Sequence, residues 1–266
     1  MRIQSKSTFS DNVVIHLKND DWLLKQRVAG KVVATTLKFL EQKVVEQTTS
    51  SMLELNALAE EIIYSSDCTP TFKNYKGFPA GVCISINNQL VHGIPTDYKL
   101  QDGDVVSFDL GATYQGAIAD SALTCIYGKP KTVEHVRLLQ ATEESLMKGI
   151  ESIVVGNRLG CIGNAIAKCA KYHGFGLVAN YGGHGLDWDV PHAAPFVANK
   201  AELDEGIRIA AGLSIAIEPM LTIGSPTTKV TDDGWTVVTD NIGAHFEHSV
   251  FVHADKVEII TDRNNG

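Results

Sequence analysis

A spacing of about 108 residues recurs three times along this chain, and it restricts the possible folds more than any single motif does. Ala34 lies 107 residues before Ala141, and Leu55-Asn56-Ala57-Leu58-Ala59 lies 108 before Gly163-Asn164-Ala165-Ile166-Ala167. Gly103 precedes Asp109 by six residues through an apolar run, and Gly212 precedes Glu218 by six through another, at an offset of 109. Leu24, Val28, Val32, Leu37, Leu40 and Val44 predict a long helix from residue 21 to about 47. A second helix is expected over 50–64, with Ser51 and Glu54 as a capping box. Residues 133–153 and 159–173 predict another long-then-short pair. The reading is an internal duplication, two α/β halves facing each other across a cleft, with coincidence among Ala-rich helices as the alternative. No Pro/Ser-rich linker separates the halves. The expected organisation is an amino-terminal extension over 1–20 and one domain over 21–266, with pseudo-repeats of roughly 21–128 and 129–255.

Acidic residues recur at matching places. Asp109 and Asp120 lie in two strand-like runs separated by Thr113, Tyr114, Gln115 and Gly116. A hairpin centred between Tyr114 and Gln115 would set them directly opposite each other, with Cβ atoms within about 5.5 Å. Like charges there repel, and a divalent cation with oxygen ligands relieves the repulsion. Glu218, in SIAIEPM, is the acid of the second half that matches Asp109. In AHFEHSVFV, alternation puts Phe246, His248, Val250 and Val252 on one face and His245, Glu247 and Ser249 on the other, so Glu247 is a fourth acid on a strand fit for burial. His184, framed by Gly183 and Gly185, offers a neutral imidazole. Four carboxylates and one imidazole could hold two divalent ions, and such a donor set favours Mn, Fe, Co or Zn over Mg. Hydrolysis is the natural chemistry of such a pair. The same four acids, spread along the chain, could equally be surface charges.

Other features exclude whole classes of function. The net charge is -8 and the 23 basic residues are scattered, which argues against nucleic acid as a direct partner. The amino terminus has no apolar signal-like run, and the longest apolar run, residues 209–217, is about half of a membrane span. Five cysteines without a CxxC pair suit a reducing compartment, so a cytoplasmic location is expected. His92, before Gly93-Ile94-Pro95, and His192, in a Pro-flanked loop, could hydrogen-bond near a metal centre. The other histidines read as surface or structural, although His248 beside Glu247 could pack under the site.

Taken together, Val82 to Asn87, Val91-His92-Gly93-Ile94-Pro95, Asp104 to Asp109, Gly183-His184-Gly185, Ile217-Glu218-Pro219-Met220, Asp233 to Val237 and Phe246-Glu247-His248-Ser249 resemble the type I methionine aminopeptidases. The resemblance runs from about Arg27 to Val252 and implies an α+β pita-bread fold, two pseudo-symmetric halves around a central antiparallel sheet. It implies Asp109, Asp120, His184, Glu218 and Glu247 as ligands of two metal ions, with Asp120 and Glu247 bridging. Glu218 would handle the proton of the attacking water, His92 would contact the scissile nitrogen and His192 the scissile carbonyl. Tyr75, Phe78, Cys83 and Trp235 match the methionine side-chain pocket in position. The implied substrates are amino termini of nascent polypeptides with a small second residue, met by a monomer, at the ribosome or free of it. This chain departs from the family over Leu186 to Pro195, one residue longer than usual, with Ala193 and Ala194 in place of two acids and Pro191 in place of a phenylalanine. Asp187 and Asp189 are candidates for attracting the substrate's ammonium. The rivals are a proline-directed aminopeptidase or prolidase of the same fold and a non-catalytic binding protein.

Overall fold

The computed structural model describes residues 2–6 and 12–264, with side chains from residue 14 onward. Among the described residues, four α-helices stand in two long-then-short pairs, α1 (Asp20–Val45) with α2 (Met52–Ser65) and α3 (Val133–Glu151) with α4 (Gly160–His173). Each long helix starts at a capping side chain: Asn19 accepts from the Trp22 N–H, and Thr132 from the His135 N–H. The expected capping box on α2 is only half made. Ser51 accepts from the Glu54 N–H at 3.4 Å, but the Glu54 carboxylate takes the Thr49 hydroxyl at 2.6 Å instead of reaching back.

The buried stripe of α1 differs from the expected one at its start. Leu24 and Val28 are 62% and 40% exposed, and Trp22, Leu23, Gln26, Ala29 and Val33 face inward instead. Gln26 tolerates burial because its amide nitrogen donates to the Ile118 carbonyl at 2.9 Å and to the Ser214 hydroxyl at 2.7 Å. Those two partners belong to different halves of the chain, so one polar side chain on α1 bridges both.

Among the described residues, the strands before the second helix pair are β1 (Arg2–Lys6), β2 (Asn12–His16), β3 (Thr69–Pro70), β4 (Cys83–Ile86), β5 (Gln89–Val91), β6 (Val105–Tyr114) and β7 (Ala117–Ile126). After it come β8 (Gly176–Leu177), β9 (Gly182–Asp187), β10 (Val190–Ala198), β11 (Ser214–Ile217), β12 (Met220–Thr222), β13 (Thr228–Val230), β14 (Val237–Thr239), β15 (Gly243–His245), β16 (His248–Val252) and β17 (Val257–Ile259). In the first half β6 lies between β3 and β4 and also pairs with β7; in the second a sheet runs β10-β9-β11-β16-β17. The expected extension over 1–20 therefore carries the antiparallel pair β1–β2, while its residues 1 and 7–11 lie outside the described residues.

The halves repeat each other at the level of single hydrogen bonds. Gly103 and Gly212 both have positive φ, 82° and 89°, a conformation that favours glycine. Gly103 N–H donates to the Tyr127 carbonyl and Tyr127 N–H to the Asp104 carbonyl; Gly212 and Val252 donate likewise to Val252 and Leu213. Between the halves runs a seam of hydroxyls. Asp120 N–H donates to Ser249 Oγ, which donates back to the Asp120 carbonyl, and Thr124 Oγ1 donates to the His245 carbonyl. Satisfying these buried backbone groups through serine and threonine brings β7 against the segment 245–249 where no ladder forms.

Candidate metal centre

Two acids come from one face of β6–β7. The hairpin is centred one residue later than expected, between Gln115 and Gly116, so Asp109 pairs with Ala122 and Asp120 with Gly111. Both turn residues have positive φ, 47° and 84°, as a two-residue primed turn requires. The aspartates are diagonal neighbours on the same face and not directly opposite, because moving the centre by one residue preserves which face each side chain occupies.

The two glutamates come from a break in the second half. Ile217 pairs with His248 and Met220 with His245, so the register carried through the gap sets Glu218 across from Glu247. Neither lies in a strand, and Glu247 N–H instead reaches the Ala122 carbonyl at 2.9 Å. His184 is delivered by β9, beside Gly183 and Gly185. A methyl group on either glycine would collide with a carbonyl oxygen, that of Ala216 or Ala194, so this close strand approach needs glycine.

Donor atoms of Asp109, Asp120 and Glu247 all lie within 4.8 Å of one another, as do those of His184, Glu218 and Glu247. Burial drives all four carboxyls well above their usual range, Asp120 to about 7, and Asp120 and Asp109 raise Glu218 further. Burial lowers His184 to about 4, leaving a neutral imidazole able to offer a lone pair. Asp109 Oδ1, Asp120 Oδ1 and Glu247 Oε1 are buried without a hydrogen-bond partner. Four clustered acids with orphaned oxygens and one neutral imidazole fit divalent cations, whose charge and empty coordination sites supply what the protein withholds.

All eleven residues expected in the site line one cavity of about 540 Å³: Asp109, Asp120, His184, Glu218, Glu247, His92, His192, Tyr75, Phe78, Cys83 and Trp235. Phe78 and Cys83 are buried with Phe72 and Ala80 in a small apolar cluster against which Trp235 packs. His92, with φ 59°, stands nearly perpendicular to the rings of Tyr181 and Trp235, each centred 6.3 Å away. His192 stands at the exposed mouth, its ring 4.5 Å from His184 and 5.3 Å from Tyr75. Phe72, Lys76, Tyr181, Phe196 and Met220 also line the cavity. Sequence reasoning passed over them, although Tyr181 precedes the Gly182-Gly183 pair and Met220 follows Pro219.

Two expectations change. His245, assigned a structural role, is fully buried with Nε2 3.5 Å from Glu218 Oε2, whereas His248 faces away and bonds Thr261 Oγ1 at 2.9 Å. The gap at Phe246 and Glu247 leaves His245 on the side of the acids. Asp187 and Asp189 do not line the cavity; Asp187 is taken up by Lys18 and His16, and Asp189 sits in the β9–β10 turn against Gly116.

Comparison with known proteins matches this chain to metallopeptidase family M24 over residues 25–254. It is 42% identical over 250 residues to a methionine aminopeptidase of Clostridium perfringens, covering 93% of this chain and 99% of the relative. Methionine aminopeptidase 1 of Mycobacterium tuberculosis is 42% identical over 242 residues, 88% of this chain and 90% of the relative. The crystal structure of methionine aminopeptidase from Rickettsia prowazekii superposes with a TM-score of 0.88 at 35% identity, covering 93% of this chain and all of the other. A prolidase from Pyrococcus furiosus, at 19% identity and a TM-score of 0.74 over 92% of this chain and 65% of its own, shares the fold.

Proposed function

Because the chain belongs to metallopeptidase family M24 and acts as a metal-dependent methionine aminopeptidase, we propose that Asp109, Asp120, His184, Glu218 and Glu247 hold two divalent ions of the Mn, Fe, Co or Zn class. The observation that carries this reading is the set of three buried, partnerless carboxylate oxygens on Asp109, Asp120 and Glu247. Bound ions would supply a water of lowered pKa and polarise the scissile carbonyl.

The chain's own residues do the rest. The carboxyl of Glu218, 3.6 Å from His184 Nε2 and 3.5 Å from His245 Nε2, takes the proton of the attacking water and returns it to the leaving amine. His192 donates to the carbonyl oxygen as its negative charge develops, and His92 contacts the scissile nitrogen. Tyr75, Phe78, Cys83 and Trp235 enclose the methionine side chain, since aromatic faces and a soft sulfur suit an unbranched thioether. Asp233 fixes that wall: its carboxylate accepts from the Trp235 and Thr236 N–H groups, each at 2.8 Å. Substrates with a small second residue, at the amino termini of new polypeptides, complete the reading.

Measuring metal content and hydrolysis of Met-Gly-Ser on one preparation tests it. Chelation should abolish turnover and Mn, Co or Fe restore it; full turnover without metal overturns the assignment. Comparing Met-Gly-Ser with Met-Arg-Ser tests the second-residue preference, and Xaa-Pro peptides whose first residue is not methionine should remain uncleaved.

A further inference from the structure

The turn from β9 to β10 is tied to the segment that leads into α1. Asp187 accepts from Lys18 Nζ at 2.8 Å and from His16 Nδ1 at 2.7 Å. The Lys18 side chain is only 4% exposed; its ammonium also donates to the His16 carbonyl and lies 5.2 Å over the Trp22 ring. Trp188 meets Trp22 edge-on, with centroids 4.9 Å apart, and Lys25 Nζ caps it at 5.1 Å. Asp189 N–H donates to the Gly116 carbonyl at 2.9 Å. Three consecutive turn residues thus engage the strand before α1, α1 itself and the β6–β7 turn. They sit in the stretch where this chain is one residue longer than the sequences it resembles.

His192 depends on that anchorage more than His184 does. β10 is the edge strand of its sheet, whereas β9 is paired on both sides. Past Val190, which pairs with Asp187, the ladder resumes only at Ala193, which pairs with Gly185; Pro191 and His192 lie between without ladder partners. An edge strand carrying a bulge holds its side chains only as firmly as its nearest fixed ends do. The turn is one of those ends.

We propose that Asp187, held by Lys18 and His16, is a positioning residue that sets His192 against the scissile carbonyl, so that the segment before α1 is part of the aminopeptidase's working geometry. The inference rests on the assignment of His192 given above. Burial alone would raise the Asp187 carboxyl, and the bonds from Lys18 and His16 more than offset this, keeping it ionised at neutral pH. Displacements of about 1 Å at a reacting group can cost about a hundredfold in rate.

The test uses the metal-loaded enzyme and Met-Gly-Ser, with Asp187→Asn and Lys18→Met each made alone and in a His192→Ala background. Either single change should lower kcat about tenfold with KM within about twofold, at unchanged metal content. In the His192→Ala background neither should lower kcat further, because the residue they act through is gone. Arg27→Met, which breaks the pair between Arg27 of α1 and Glu258 of β17, should leave kcat unchanged. Wild-type kcat in both Asp187→Asn and Lys18→Met, or the same tenfold loss persisting without His192, overturns the inference. If Asp187→Asn fails to fold, Lys18→Met reads the same contact from its other side. Full activity of His192→Ala would instead remove the assignment on which the inference rests.

Discussion

The hairpin β6–β7 runs through ten consecutive Cα pairs without a slip, whereas β9–β10 slips twice within five. Both bring two residues to the same cavity, Asp109 and Asp120 in one case, His184 and His192 in the other. A continuous ladder fixes side chains by parity alone, and that suits the carboxylates proposed to share cations, whose oxygens lie within 4.8 Å of one another. A bulged edge strand gives up that certainty and re-aims a side chain toward the mouth, where a substrate has to pass. On the proposed assignment the regular hairpin supplies metal ligands alone. The bulged one supplies one ligand, His184, from its paired strand and one peptide contact, His192, from its edge strand, and each half of that contrast can be attacked.

The largest effect belongs to the regular hairpin. Asp120→Asn should lower hydrolysis of Met-Gly-Ser by more than about a hundredfold, since even outer-shell partners of metal ligands are worth about tenfold to a hundredfold. Elemental analysis should show metal loss, and full turnover with full metal content would show that the hairpin is not a ligand platform. The bulged hairpin comes next: His192→Ala should cost about a hundredfold in kcat with metal content unchanged. Loss of metal in that variant would erase the proposed division of labour.

Removing the metal should expose the strain in the acid cluster through pH. Burial raises Asp109, Asp120, Glu218 and Glu247 above their unfolded values. A group with a raised folded pKa stabilises the fold fully below its unfolded pKa, about 4 for a carboxyl. It loses that contribution as pH rises through the folded value, about 7 for Asp120. The imidazoles of His184, His192 and His245, lowered to about 4, 3 and 3, act in the opposite sense over much of this range, so the acids are read by difference. The thermal midpoint of chelated protein relative to that of chelated Asp120→Asn should fall as pH rises from about 4 to about 7, and divalent ions should restore it at neutral pH. A flat difference would mean that Asp120 is not held against the other acids.

The smallest effects concern glycines. Gly185→Ala drives a methyl into the Ala194 carbonyl and should cost about 3 kcal/mol in urea unfolding. Gly116→Ala, at the primed turn with φ +84°, should cost about 1 kcal/mol. Equal costs would weaken the contrast in how tightly the two hairpins are packed.

Much of this was legible in the sequence because it is local or periodic. Helix pairs follow from apolar spacing, and the error in the β6–β7 centre left both aspartates on one face because the pairing changed by two residues. The alternation of AHFEHSVFV already placed His245 on the side of Glu247; reading it as surface or structural, with His248 as the histidine that could pack under the site, gave that signal too little weight. The stripe of α1 was misread at Leu24 and Val28 because Gln26 is buried through partners 92 and 188 residues away. The fate of Asp187 was equally hidden, since Lys18 lies 169 residues before it. Local chemistry names such residues, and only tertiary contact says what they touch.

The seam between Asp120 and Ser249 spans 129 residues, and Glu247 is the last of the proposed acid ligands along the chain. During vectorial synthesis β6–β7 can pair as soon as it emerges, because its contacts are short-range. It then presents two buried-to-be carboxyls with no glutamate partners until β16 has followed. Any metal captured before that point would be held by half a site. On that assignment, an enzyme that trims the starts of other chains is itself competent only once β16 has been made.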